Sequence, residues 1–171
     1  MDKHQYNLVQ FSELLDQCWS KENKRFKAPN LMRSINFLNK VSNWVSYHVL
    51  SEKDEKKRRE LLKTFIKLTV KLMDLNSLNM MQAINAGLTT TAVHRLSLTW
   101  DQIEEKITSL RKGVDALIST RGNFKALRER MNDCYENGKP CAPFVGVLLK
   151  DLVFFDDGNP WISLFFVFCC F

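Results

Sequence analysis

Apolar residues along this chain recur at helical intervals. Leu8, Phe11, Leu15, Cys18 and Trp19 follow one another at three- and four-residue spacing, which predicts a first helix with these side chains on one face. The polar stretch from Lys21 to Asn30, containing Pro29, breaks it. Leu31, Ile35, Leu38, Val41, Val45 and Val49 resume the stripe and predict a helix of about five turns, ending before a charged connection from Ser51 to Arg59. Leu61, Phe65, Ile66, Thr69, Leu72 and Met73 predict a third helix. Leu78, Met81, Ile84 and Leu88 follow after a weak interruption, with Gly87 suited to a helix end or a close backbone approach.

Val93, Leu96, Trp100, Ile103, Ile107, Leu110, Val114 and Leu117 form the longest stripe, with Thr99 and Trp100 marking a candidate break. Asn123 to Met131 reads as a short helix with Phe124, Leu127 and Met131 inward. The last helix is different in kind. Pro143 suits its first turn, and Phe144 to Phe155 is apolar nearly all round, interrupted only by Lys150 and Asp151. Such a helix is either deeply buried or exposed to grip a partner. Asp156-Asp157-Gly158-Asn159-Pro160 ends it. Strand alternation is nowhere convincing, and no internal repeat is present, so the expected fold class is all-α, a packed helical array.

With 171 residues and 45% hydrophobic content, the chain has enough apolar surface for one real core. The net charge of +6 would permit an anionic partner, but 19 acidic residues are interspersed among 25 basic ones. Only Lys56-Lys57-Arg58-Arg59 is a compact basic run. It reads first as a solvated helix start, and second as a nuclear signal or an anionic-lipid contact. No zinc finger, aromatic RNA-binding signature or basic zipper accompanies it, so no nucleic-acid partner is expected. Cys18, Cys134, Cys141, Cys169 and Cys170 show neither a C-x-x-C pair nor a disulfide framework and read as reduced thiols in the cytoplasm. The start, with Asp2, His4 and Gln5, is not a secretory signal.

Bond-making chemistry has no foothold in the sequence. No phosphate-cradling glycine loop occurs, so the chain is not expected to bind nucleotide by itself. His4, His48 and His94 are too far apart for H-E-x-x-H metal chemistry, and no G-x-S-x-G offers a nucleophile. Neither cofactor nor metal is expected. Asp156 and Asp157 read as a solvated helix end, since an acid/base pair would need another group opposite them.

Five blocks of sequence, in order, are specific. They are Phe11-Ser-Glu-Leu-Leu-Asp-Gln-Cys-Trp-Ser-Lys with Ala28-Pro-Asn-Leu; Asn39-Lys-Val-Ser-Asn-Trp-Val; Phe65-Ile-Lys-Leu through Leu75-Asn-Ser-Leu-Asn to Ala86-Gly-Leu-Thr-Thr-Thr-Ala-Val-His-Arg-Leu-Ser-Leu-Thr-Trp; Asn123-Phe-Lys-Ala-Leu-Arg; and Pro140-Cys-Ala-Pro-Phe-Val-Gly-Val-Leu-Leu-Lys-Asp-Leu, running to Asp157-Gly-Asn-Pro. Together they resemble the catalytic domain of Ras-family guanine-nucleotide exchange factors over nearly the whole chain. The resemblance implies a bowl of helices that binds the mobile switch segments of a Ras, Rap or Ral type small GTPase. A helical hairpin then displaces the GDP, and its first helix matches Phe144 to Asp157.

In that family an apolar residue of this helix occludes the magnesium site and an acidic one crowds the phosphate site. By position these are Val153 and Asp157, both shorter than the family's usual residues. The match also puts Asn36, Asn39, Gln82, Ala86, Thr89, Thr91, Asn123 and Phe124 on the switch-binding surface, and Phe144 and Lys150 at the hairpin base. Residue by residue, Asn39 and Asn123 also read as ordinary polar surface or cap positions, and Phe144 as core. Thr89 stands where the family has Asn, so a side chain that both donates and accepts is replaced.

Residues 1–160 are thus expected to form a partial exchange domain. Trp161 to Phe171 is expected to be an apolar tail outside the family pattern, from truncation or read-through. The alternative is a membrane-associating tail, but it is too short to span a bilayer and lacks a prenylation cysteine, so membrane association is expected to be only peripheral, with the GTPase as one route. Without a return helix the wedge would be loosely held, and weak or absent exchange is expected. The alternatives are a non-catalytic module that binds a GTPase or another helix, and a defective fragment.

Overall fold

A computed structural model describes residues 8–159. Asp2, His4, Gln5, Pro160, the tail from Trp161 to Phe171, Cys169 and Cys170 lie outside the described residues. Among those described the chain is all α-helical, with one isolated bridge between Ser77 and Ala142 and no strand. A 3₁₀ segment, Phe11–Gln17, precedes α1 (Lys24–Lys27), α2 (Pro29–Ser51), α3 (Glu55–Asp74), α4 (Leu78–Leu88), α5 (Thr91–His94), α6 (Ser97–Trp100), α7 (Glu105–Leu117), α8 (Lys125–Glu136) and α9 (Val145–Gly158). The described residues divide into two compact units, one from 8–36 with 144–159, the other from Phe37–Pro143.

In the first unit the predicted opening helix does not form as one piece. Leu15 is extended, and Asp16 and Gln17 are left-handed, with φ of 50° and 51°. Leu8, Phe11 and Leu15 are consequently exposed while Cys18 and Trp19 are buried. The cause is Glu13, which turns inward and spans to the start of α2. Its carboxylate accepts from the Leu31 amide at 2.8 Å, the Asn30 side-chain amide at 2.8 Å and the Gln10 amide at 3.3 Å. Pro29, expected only to break a helix, instead opens α2 at the position where a missing N–H costs nothing. The next N–H groups of that first turn have no intrahelical partner, and a carboxylate from a distant segment supplies one. Burial alone would push the Glu13 carboxyl up; the hydrogen bonds from Leu31, Asn30 and Gln10 outweigh it and hold the group below the usual range.

The core of this unit is Cys18, Trp19, Ala28, Leu31 and Val145, extended by Val9, Leu14, Met32, Ile35, Leu149, Leu152 and Val153. It is the seat of α9, which packs on the 3₁₀ segment. Pro143 lies just before α9 and not in its first turn, because Phe144 is the N-cap residue.

The second unit is built on α3, whose buried face of Leu62, Phe65 and Ile66 joins Val45, Val49, Ile84, Leu88, Val93, Ile103 and Ile107. α3 begins at Glu55, within the stretch read as a connection, since Asp54 caps it by accepting from the Lys57 amide at 3.1 Å. The stripe from Val93 to Leu117 divides into α5, α6 and α7. Trp100 donates its indole N–H to the Val93 carbonyl at 2.9 Å, and Glu104 turns to Lys63 at 2.6 Å, so both ends of the break are tied down. Gly87 is a close-approach glycine: a Cβ there would meet the Ser42 carbonyl at 2.6 Å and Val45 at 2.8 Å. Asn76, left-handed at φ 54°, accepts from the Ala142 amide through its carbonyl and from Arg130 through its side chain, both at 2.9 Å. The Ala142 carbonyl in turn accepts from Leu78 and Asn79, satisfying the first amides of α4.

Candidate functional site

The expected site residues fall in both units. In the second, Gln82 and Ala86 are one turn apart on α4, both half-buried, and Thr89 follows at its C-cap. The Thr89 hydroxyl donates to the Asn85 carbonyl at 2.9 Å and lies 3.3 Å from that of Ala86. Its donor is therefore spent on ending the helix. The Gln82 side-chain oxygen is buried and has no hydrogen-bond partner. An unmet buried acceptor costs on the order of 1–3 kcal/mol, which an incoming donor would recover. Thr91 is exposed in the first turn of α5, and Asn39 is exposed on α2, one turn before the Ser42 contact with Gly87.

Asn123 and Phe124 stand at the entry to α8 in the left-handed region, with φ of 55° and 63°, directly after Gly122 at 58°. Such a conformation is easy for glycine and uncommon for an aromatic residue, at about 1–3 kcal/mol each. The helix expected from Asn123 instead begins at Lys125, and the Gly122-Asn123 pair is the sequence signal for the turn before it. Phe124 is not part of the helix interior: it is the residue before Lys125, the first of α8.

In the first unit, Asn36 is exposed on α2, and Phe144 is half-buried at the N-cap of α9. The Phe144 ring lies over Gly146, where a Cβ would come within 2.6 Å of it. Lys150, Val153, Phe154 and Asp157 are spaced by three, four and seven residues and so occupy one face of α9. Lys150 sits 5.5 Å from the Phe154 ring centroid, and Asp157 accepts from the Gln17 side chain at 3.0 Å. Val153 is half-buried and borders the core, whereas Phe154 is 61% exposed and Phe155 49%. The all-round apolar pattern thus reflects two uses: Val145, Leu149 and Leu152 are packed inward, and Leu148, Phe154 and Phe155 face out. Gln17 and Phe154 were not among the expected site residues. Gln17 has no sequence signal, being 140 residues from its partner, while Phe154 follows from helical spacing alone.

No cluster of metal-ligating side chains occurs among the described residues. What the arrangement offers is an apolar and acidic helix face, and a second surface with an unmet acceptor and two strained residues.

A family model for the RasGEF domain matches residues 1–164. Ras guanine nucleotide exchange factor R of Dictyostelium discoideum is 33% identical over 160 residues, covering 94% of this chain and 9% of that protein. Factor A of the same organism is 33% identical over 155 residues, 91% of this chain and 25% of its own length. Guanine nucleotide exchange factor SDC25 of Saccharomyces cerevisiae is 33% identical over 157 residues, 91% of this chain and 12% of its own. The chain belongs to the RasGEF domain family. It spans a quarter or less of the length of these curated relatives.

Proposed function

We propose that this chain is a guanine-nucleotide exchange module acting on a small GTPase of the Ras, Rap or Ral type, in the cytoplasm and at membranes where that GTPase resides. A small GTPase holds its nucleotide through phosphate and magnesium contacts. In this reading, α2, α4, α5 and the entry to α8 receive the switch segments through Asn36, Asn39, Gln82, Ala86, Thr89, Thr91, Asn123 and Phe124, and Phe144 and Lys150 stand at the base of the hairpin that α9 begins. Val153 then crowds the metal site and Asp157 repels the phosphates. No bond is made or broken. The module binds the empty GTPase more tightly than the loaded one, and linkage lowers nucleotide affinity by the same factor.

The observation that carries the reading is the α9 face. An apolar residue and an acidic residue lie one turn apart on the helix that matches the family's wedge, beside exposed Phe154. Release of fluorescent GDP from a GTPase panel tests it. Acceleration that Asp157→Lys abolishes without abolishing binding is the expected result, and acceleration untouched by that change contradicts the wedge. A second reading, a module that binds without opening the nucleotide site, is favoured by Val153 bordering the core and by the Gln17 hold on Asp157. Binding with no release in either form would establish it.

A further inference from the structure

The basic run Lys56 to Arg59 divides on folding. Arg58 donates to the Thr99 hydroxyl and the Glu52 carbonyl, each at 3.1 Å, and Arg59 donates to the Gln102 side chain at 2.7 Å. Both guanidinium groups are thereby committed to holding α3 in place. Lys56 and Lys57 remain exposed and continue into a longer feature that the sequence run conceals. Lys56, Lys67 and Lys71 recur at helical spacing along the solvent face of α3, with Lys57 at its border. This face is settled by its opposite, where Leu62, Phe65, Ile66 and Thr69 are buried.

Among the described residues none of these four lysines is in an ion pair with a carboxylate. The acidic groups on this face and at its ends are Asp54, which caps the helix through the Lys57 amide and lies near Lys56 and Lys57, Glu60, which is held by the nearly buried Lys63 at 2.9 Å, and Asp74 at the far end, so the four lysines outnumber them. From Lys56 to Lys71 the stripe runs about 22 Å at 1.5 Å per residue. Leu68 and Leu75 border it, 41% and 70% exposed.

We propose that the solvent face of α3, with Lys56, Lys57, Lys67 and Lys71 flanked by Leu68 and Leu75, is a docking surface for an anionic lipid bilayer. A long, straight, one-sided row of flexible ammonium groups matches a plane of anionic headgroups, and the bordering leucines are placed to enter the interface beside it. A nucleic-acid partner fits less well, since the stripe has neither an aromatic side chain for base stacking nor a free arginine for base edges.

Vesicle co-sedimentation of the full chain tests this, with phosphatidylcholine vesicles alone and with about 30% phosphatidylserine. Binding to the anionic vesicles is expected, falling steeply as salt rises from roughly 0.1 to 0.5 M. Each lysine near such a surface contributes about fivefold to partitioning, so the variant Lys56→Glu, Lys57→Glu, Lys67→Glu, Lys71→Glu should bind at least about 100-fold more weakly. Its circular dichroism melt should match that of the unmodified chain, because all four positions are exposed. A control of equal charge change at exposed Lys27, Lys40, Lys106 and Lys112 should bind nearly as before. Equal loss in both variants would reduce the effect to net charge and overturn the proposal. So would equal binding to neutral vesicles, or capture by a nucleic-acid polyanion without capture by vesicles. No GTPase is present in the assay, so its outcome is separate from that of the exchange test.

Discussion

Replacing Glu13 with Gln removes one charge and leaves the side chain's shape unchanged, yet it should loosen the seat of α9. One carboxylate oxygen of Glu13 accepts from Asn30 and Gln10, the other from the Leu31 amide. An amide cannot accept at both ends. If its oxygen stays toward Asn30 and Gln10, its NH₂ faces the Leu31 N–H; the reverse choice strands two donors. Glu13 and Leu31 are both buried, so water cannot substitute. Losing one charge-assisted hydrogen bond and leaving a buried donor unmet costs about 2–3 kcal/mol. For a domain of this size that lowers Tm by roughly 5–10 °C. The sign of the pH dependence follows from the depressed carboxyl: its stabilisation is present above the unfolded value near 4.5 and disappears as pH falls through the folded value below it. The variant should therefore melt lower at neutral pH, and the unmodified chain should approach it as acid protonates Glu13. Thermal melts across pH, together with amide exchange at Leu31, measure this, and nucleotide release should fall in step because α9 packs on the segment that Glu13 anchors. A neutral-pH Tm within about 1 °C of the original would refute the capping argument.

Three further outcomes follow from single positions. Gly87→Ala should destabilise the second unit by about 1–3 kcal/mol or more, read by urea unfolding, because the new methyl meets the Ser42 backbone carbonyl and no flexible tip can yield; an unchanged midpoint contradicts the close approach. Burial, reinforced by the neighbouring Cys134 side chain, pushes the Cys141 thiol up to about 11. Alkylation at pH 8 should therefore be roughly 200-fold slower than for a free thiol and should rise about tenfold per pH unit up to that value, as peptide mass spectrometry can follow. Val153→Leu should raise GDP release severalfold if that position occludes the metal site, with stability within about 1.5 kcal/mol of the original; unchanged release would remove Val153 from the wedge.

Long apolar stripes were legible because burial selects them directly. Val45, Val49, Phe65, Ile66, Ile84 and Leu88 all lie in the core of the second unit, as their spacing predicts, whereas the third stripe enters the core through Leu62 and not through the expected Leu61, which is half-buried. Gly87 was legible as well, since only a missing Cβ admits so close a carbonyl. The opening segment was not. Its helical spacing was real, but Glu13 makes more by reaching 18 residues ahead to the Leu31 amide than a regular helix would have made locally, and nothing in the segment announces a long-range carboxylate. The division of Val93 to Leu117 depends likewise on Glu104 finding Lys63 outside the stretch and on the Trp100 indole folding back to the Val93 carbonyl. For the site, the spacing of Lys150, Val153 and Asp157 on one helix face could be read from numbers alone. The Gln17 hydrogen bond to Asp157 and the left-handed backbone of Phe124 could not, because both are set by tertiary context.

The central claim, that this RasGEF-family chain opens a small GTPase by preferring its empty form, is tested most directly by comparing two affinities for one GTPase. Isothermal titration of the chain against the nucleotide-free GTPase and against the same GTPase saturated with GDP and magnesium supplies both. The account predicts tighter binding to the empty form by at least about tenfold, a difference of roughly 1.4 kcal/mol, with the gap shrinking in Asp157→Lys. Equal affinity for the two forms, however tight, would contradict it, because a ligand that does not distinguish two states cannot shift the balance between them.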